Sequence, residues 1–256
     1  MFIDTHCHLS CCDYENIEEV LKENRKENVS PIIISGCSKK DINESLEYAR
    51  KYDDVFATIG YHPSEARIVT DSDLDNLKRL LVSSSKVIGV GEIGLDYYYG
   101  KDDKEKQLTL FEKQLKIAEE LNLPVVIHSR EATLDTITLL KKYKVVGVIH
   151  CFSGSLETAN EYIKMGFLLG IGGVVTFKNS NLGHVLSKIP LQKLVLETDS
   201  PYLTPEPFRG TKNTSKYIPL IAKKVAEYKN VSILDVEKIT TMNASRVFQL
   251  DVVEKK

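Results

Sequence analysis

The chain has 256 residues, 42% of them hydrophobic and 27% charged, with a formal net charge of -2; this is the length of one α/β barrel and an ordinary globular composition. So balanced a charge excludes recruitment of nucleic acid by the overall field, and a polyanion would need local basic residues or bound metal. No apolar stretch approaches the ~20 residues of a membrane span, no basic-then-apolar leader opens the chain, and the five cysteines show no framework spacing, so a cytoplasmic protein with reduced thiols is expected.

Short apolar, β-branched runs recur along the whole chain: "MFIDT" (1–5), "PIIISG" (31–36), "VFATIG" (55–60), "KVIGVGEIG" (86–94), "PVVIHS" (124–129), "KVVGVIH" (144–150), "FLLGIGG" (167–173) and "KLVLETDS" (193–200). Each reads as a parallel strand buried on both faces. The intervals are long enough for crossover helices. The clearest spans 103–123, with Leu108, Phe111, Leu115 and Ala118 near helical spacing. Asp41 and Asp73 are expected to cap helices, with Glu44 three residues after Asp41. Two further helices are expected at 214–229 and 232–248. Eight strands alternating with helices predict a single (β/α)8 TIM barrel over residues 1–256. An open doubly wound sheet fits less well, because "GVGEIG" (89–94) puts Glu92 where a phosphate would bind.

Barrel function sits at the C-terminal strand ends. Those ends carry His6 and His8, Glu92, His128, His150 and Asp199, with His62 in "GYHP" after the third strand. Successive strand side chains alternate faces, so His6 and His8 point together and Cys7 points away. This favours a histidine-built metal site over a cysteine clip at Cys7, Cys11 and Cys12. Asp4 and Glu197, two residues before His6 and Asp199, are candidates to orient ligands from behind. Six ligands are too many for one four-coordinate zinc. They suit two divalent ions (zinc, magnesium or manganese) about 3.5–4 Å apart, bridged by Glu92, which together activate a water.

The stretches "DTHCHL", "GEIGLDYY", "QLTLFEKQLKIAEELNLPVVIHSREA", "HCFSGS", "LETDSPYL", "RGTKN" and "TTMNASRVF" resemble, in order, those of the TatD family of metal-dependent deoxyribonucleases. The resemblance runs from residue 4 to 248. It implies an amidohydrolase-type TIM barrel with one metal on His6, His8, Glu92 and Asp199, and the other on Glu92, His128 and His150. It also implies hydrolysis of DNA phosphodiesters, often from a 3′ end. Deacylation of D-aminoacyl-tRNA, or of another ester or amide, is the alternative. The chain departs from the family at "NTSKY" (213–217), where a proline commonly follows the asparagine.

For the chemistry, Glu92 and Asp199 are expected to serve as catalytic carboxylates, Asp199 as ligand and general base. His62 is expected to bond a phosphate oxygen or protonate the leaving group. Arg130 and Arg209 are candidate phosphate clamps, and Lys178, Lys212 and Lys216 candidate backbone contacts. The run Tyr97-Tyr98-Tyr99 after Glu92 is a candidate platform for unpaired bases, with Asp96 beside it. The expected partner is therefore a single-stranded or frayed DNA 3′ end, bound by a monomer without a membrane.

Overall fold

The computed structural model describes residues 1–99 and 101–251. Eight parallel strands pair in chain order: β1 (Phe2–Cys7), β2 (Val29–Gly36), β3 (Val55–Ile59), β4 (Val87–Asp96), β5 (Val125–Arg130), β6 (Gly147–Ile149), β7 (Leu168–Ile171) and β8 (Leu194–Leu196). The helices are α1 (Ile17–Lys26), α2 (Lys39–Lys51), α3 (Asp71–Leu81), α4 (Lys104–Leu121), α5 (Thr133–Leu140), α6 (Leu156–Lys164), α7 (Leu182–Lys188), α8 (Ile218–Lys229) and α9 (Ile233–Phe248). This is the TIM barrel that the strand count predicts. Among the described residues, no helix is long and apolar enough to cross a membrane.

The interior is layered. Ile3, Ile33, Phe56, Ile88, Val126, Val148, Leu168 and Val195, one from each strand, form an apolar layer. Phe248 and Leu250, at the end of α9, belong to the same cluster and plug the barrel floor. Removing a buried ring of this kind typically costs about 3–5 kcal/mol. Two residues further along the chain from six of these positions come Ser35, Thr58, His128, His150, Gly170 and Glu197, of which His150 and Glu197 lie just past their strands. Period-two alternation thus changes the lining from apolar to polar within one step toward the C-terminal ends.

The seam between β8 and β1 is closed above the short last strand. The amides of Thr198 and Asp199 donate to the His6 carbonyl (3.3 and 3.0 Å), and the His8 amide donates to the Ser200 carbonyl (2.7 Å). These bonds set Asp199 beside both N-terminal histidines.

Some boundaries differ from the sequence expectation. β6 and β8 stop at Ile149 and Leu196, so His150 and Asp199 sit just past the ladder. Left-handed backbone at Cys151 (φ 46°) and Asp199 (φ 54°) turns the chain there. β4 runs on to Asp96, making that residue part of a strand end. The helix caps also differ. Ser38 and Thr70 cap α2 and α3, while Asp41 and Asp73 lie three residues inside and accept from the cap hydroxyls (2.7 and 2.8 Å). At α3 the acid completes a reciprocal box, the Thr70 hydroxyl accepting the Asp73 amide and the Asp73 carboxylate the Thr70 amide; at α2 only the Asp41 amide is held, by Ser38. Reading the acid itself as the cap places each helix start three residues late.

Candidate metal centre

Six side chains converge above the polar layer. From β1, His6 Nε2 lies 3.6 Å from both Glu92 Oε2 and Asp199 Oδ1, and His8 Nε2 lies 3.7 and 3.6 Å from the same two atoms. On the other side, Glu92 Oε1 lies 2.7 Å from His128 Nδ1 and 2.9 Å from His150 Nε2. Glu92 thus gives one oxygen to each pair of histidines. Cys7 faces the core, its Sγ 3.6 Å from the Ile33 carbonyl, and Cys11 and Cys12 are exposed free thiols.

The donor set fits divalent ions. His6 is 1% exposed, yet among the described residues neither ring nitrogen has a hydrogen-bond partner, a costly state for a buried polar group unless a ligand satisfies it. Burial, with His150 alongside, holds the His6 imidazole well below its usual pKa, so it is neutral, the ligating form. Burial alone would raise Glu92, but His150 and His128 more than offset it and keep the carboxyl well below the usual range. His6, His8 and Glu92 lie close enough together to hold an ion, as do His6, His150 and Asp199, and Glu92, His128 and His150.

Three residues behind the centre organise it. Asp96 Oδ2 lies 3.3 Å from His128 Nε2, and its Oδ1 accepts the amides of Tyr98 and Tyr99 (2.9 and 3.0 Å). Its inward position four residues after Glu92 is the sequence signal for this role. Glu197 Oε1 lies 3.6 Å from His150 Nδ1 and accepts the Cys151 amide. Asn213, of "RGTKN", is fully buried and donates to the Thr198 and Tyr202 carbonyls (2.9 and 2.5 Å), straddling Asp199. Asp4 behaves differently from Glu197. Register shifts in β1 flank it, and its carboxylate accepts the Thr198 amide and the His6 amide (3.0 and 3.2 Å). It holds backbone, in place of the ligand-orienting role that strand parity predicts. Burial raises its pKa to about 7.

The centre floors a cleft of about 710 Å³, lined among others by Cys37, His62, Tyr99, Arg130 and Tyr202. His62 packs edge-on to His128, ring centroids 4.7 Å apart. The Ser64 amide donates to its Nδ1 (3.1 Å), so the ring proton is on Nε2. Burial lowers its pKa to about 4. Arg130 stacks on Tyr98 and Tyr99, 4.0 and 4.9 Å from their centroids.

Three expected substrate contacts are engaged elsewhere. Tyr97 is half-buried against the core and donates to Asp135 (2.8 Å); on an extended β4 it faces opposite to Asp96. Arg209 lies flat on Phe177, 4.0 Å from its centroid, and donates to the Thr204 carbonyl (3.2 Å). It straps its own loop and does not line the cleft. Lys212 is likewise engaged, with the Asp13 carbonyl.

A family profile described as TatD related DNase matches residues 3–249. The chain belongs to the TatD family. It is 41% identical to the uncharacterized metal-dependent hydrolase YabD of Bacillus subtilis, over 98% of this chain and all of that one. It is 34% identical to the uncharacterized metal-dependent hydrolase YcfH of Escherichia coli, over 97% and 96% of the two chains. The crystal structure of YjjV, a TatD homologue from Escherichia coli, superposes with a TM-score of 0.91 at 30% identity, covering 97% of this chain and 98% of that one. As a TatD-family metal-dependent hydrolase, the protein needs a cluster able to hold ions, and the six converging side chains offer one.

Proposed function

We propose that the protein is a two-metal DNA phosphodiesterase that removes nucleotides from 3′ ends of single-stranded or frayed DNA. The observation that carries this reading is the division of Glu92 between two histidine pairs on the floor of a cleft with a cation–aromatic rim. The name of the family profile, TatD related DNase, supports it.

His6, His8, Glu92 and Asp199 would hold one ion, and Glu92, His128 and His150 the other. Bound ions supply Lewis-acid polarisation and lower the pKa of a coordinated water. The protein's own groups do the rest. Asp199, at 16% side-chain exposure against 4% for Glu92, is the carboxylate placed to take a proton from the attacking water. His62 is neutral at pH 7 and presents Nε2–H, so it donates a hydrogen bond to a phosphoryl oxygen and does not protonate the leaving group. Arg130 offers its guanidinium to the adjacent phosphate. Exposed Tyr98 and Tyr99 (54% and 78%) offer faces for unpaired bases, which duplex stacking would deny them.

The test is a single-stranded oligonucleotide labelled at its 5′ end, incubated with EDTA, magnesium, manganese or zinc. The expected result is a ladder shortening by single nucleotides, absent in EDTA and in His128→Ala. An intact oligonucleotide in every metal would refute the DNA reading and turn attention to ester or amide substrates.

A further inference from the structure

The two halves of the centre are built differently. Around His6 and His8 the four cross-distances to Glu92 Oε2 and Asp199 Oδ1 are nearly uniform, 3.6 to 3.7 Å. All four exceed hydrogen-bond length, and among the described residues the His6 nitrogens are without hydrogen-bond partners. These donors stand apart, with His6, His8 and Glu92 close enough together to hold an ion. Around His128 and His150 the donors have closed on one another. Glu92 Oε1 is 2.7 and 2.9 Å from the two rings, which are 3.2 Å apart between Nδ1 and Nε2. An ion entering there must first part these groups.

The backing differs too. Behind His8, the Ser35 carbonyl lies 3.3 Å from Nδ1, and the Cys37 thiol also bonds the ring. His128 and His150 each face a carboxylate behind the far nitrogen, Asp96 within hydrogen-bond reach at 3.3 Å and Glu197 just beyond it at 3.6 Å, so that among the described residues His150 Nδ1 makes no hydrogen bond. A carboxylate there fixes ring orientation and strengthens the imidazole as a donor. Among the described residues, Asp96 and Glu197 both stand behind the contracted ligand set.

We infer that the two ions load in order, the first into the preformed His6–His8–Glu92–Asp199 cage and the second, more weakly, at Glu92–His128–His150, with Asp96 and Glu197 as positioning residues specific to the second. The inference rests on the two-ion reading proposed above. It makes the second half the exchangeable one. Asp96 also holds the Tyr98–Tyr99 turn, so the weaker site and the aromatic rim share one anchor.

The test is titration of metal-free protein with manganese, following free Mn²⁺ by its electron paramagnetic resonance signal, a readout independent of any substrate. Wild type is expected to bind two ions in two steps separated by at least about tenfold, the scale of breaking one charge-assisted hydrogen bond. Asp96→Asn keeps an oxygen for the tyrosine amides and is expected to weaken only the second step, by about 10–100-fold. Glu197→Gln is expected to do the same; should it not fold, Asp96→Asn decides. Asp199→Asn is expected to weaken the first step. Two equal steps in wild type, an Asp96→Asn protein with both steps intact, or one with the first step weakened would each overturn the inference while leaving the two-ion reading standing. Binding of no ion would overturn both.

Discussion

Gly170 on β7 touches no ligand atom, yet alanine there is expected to unseat Glu197. A methyl at this position would lie 2.2 Å from Glu197 Oε2, 2.8 Å from its Cδ and 3.2 Å from His150 Cα. Ordinary van der Waals separation requires the carboxylate to retreat by roughly 1 Å, and the close-packed interior leaves little space to absorb that. Overpacking of this kind costs about 1–3 kcal/mol. Loss of the Cys151 amide from Glu197 removes a charge-assisted hydrogen bond, about 1.5–3 kcal/mol more. The expected destabilisation is about 3–5 kcal/mol, a large share of the ~5–15 kcal/mol of a typical domain. Gly172 is the internal control. Its added methyl would meet nothing nearer than 3.6 Å, and its φ of -107° suits any residue, so Gly172→Ala is expected to be neutral or slightly stabilising. Urea denaturation of metal-free protein reads both. At a slope of about 3 kcal/mol/M, the upper end of the usual range and the one that suits a chain of this size, Gly170→Ala should lower the midpoint by on the order of 1–2 M and Gly172→Ala should not. Equal midpoints, or greater damage from Gly172→Ala, would refute the packing argument.

Arg130→Ala should raise KM for an oligonucleotide several-fold with kcat nearly unchanged, since it removes a binding group outside the centre; a fall in kcat alone would contradict its placement. Ser232 caps α9 in a reciprocal box with Asp235, so Ser232→Ala should cost about 1 kcal/mol, or roughly 2–4 °C in thermal midpoint. His62 titrates at about 4 when folded, because it is buried, and near 6.5 when unfolded. Between those values the unfolded chain binds the extra proton, so folded protein loses stability as pH falls from about 6.5 toward 4. His62→Asn, compared with wild type by denaturation of metal-free protein at pH 7 and 5, should show the shallower pH dependence; parallel curves would mean that the imidazole is not desolvated.

The barrel is legible in the sequence because its signal is repetitive. Eight apolar runs at crossover spacing leave few other folds, and polar residues at their ends mark one face. The six converging side chains are legible for the same reason, since strand parity alone puts His6 with His8. Sequence and structure part where local geometry breaks the period. The register shifts around Asp4 are invisible in "FIDTH", and they turn a residue that parity aims at the ligands into a backbone clasp. The extra length of β4 moves Asp96 into the centre and Tyr97 out of it; residues at a strand end swap faces with each position added. Arg209 shows the same limit in a loop, because a cation near a cleft can as easily lie on an aromatic ring of its own segment, here Phe177, which only packing reveals.

The hydrolytic groups stand at strand ends, on a frame fixed by the plugged floor and the β8–β1 seam, whereas Tyr98, Tyr99 and Tyr202 stand on connecting segments beyond it. Diversification can therefore be modular. Insertions or exchanges in the segments after Asp96 and after Asp199 would alter which molecules are admitted without re-engineering the reaction, provided that Asp96 and Asn213, the two anchors tying rim to frame, are kept. A library confined to those segments, with both anchors held constant, is where a new specificity on this scaffold would most readily be sought.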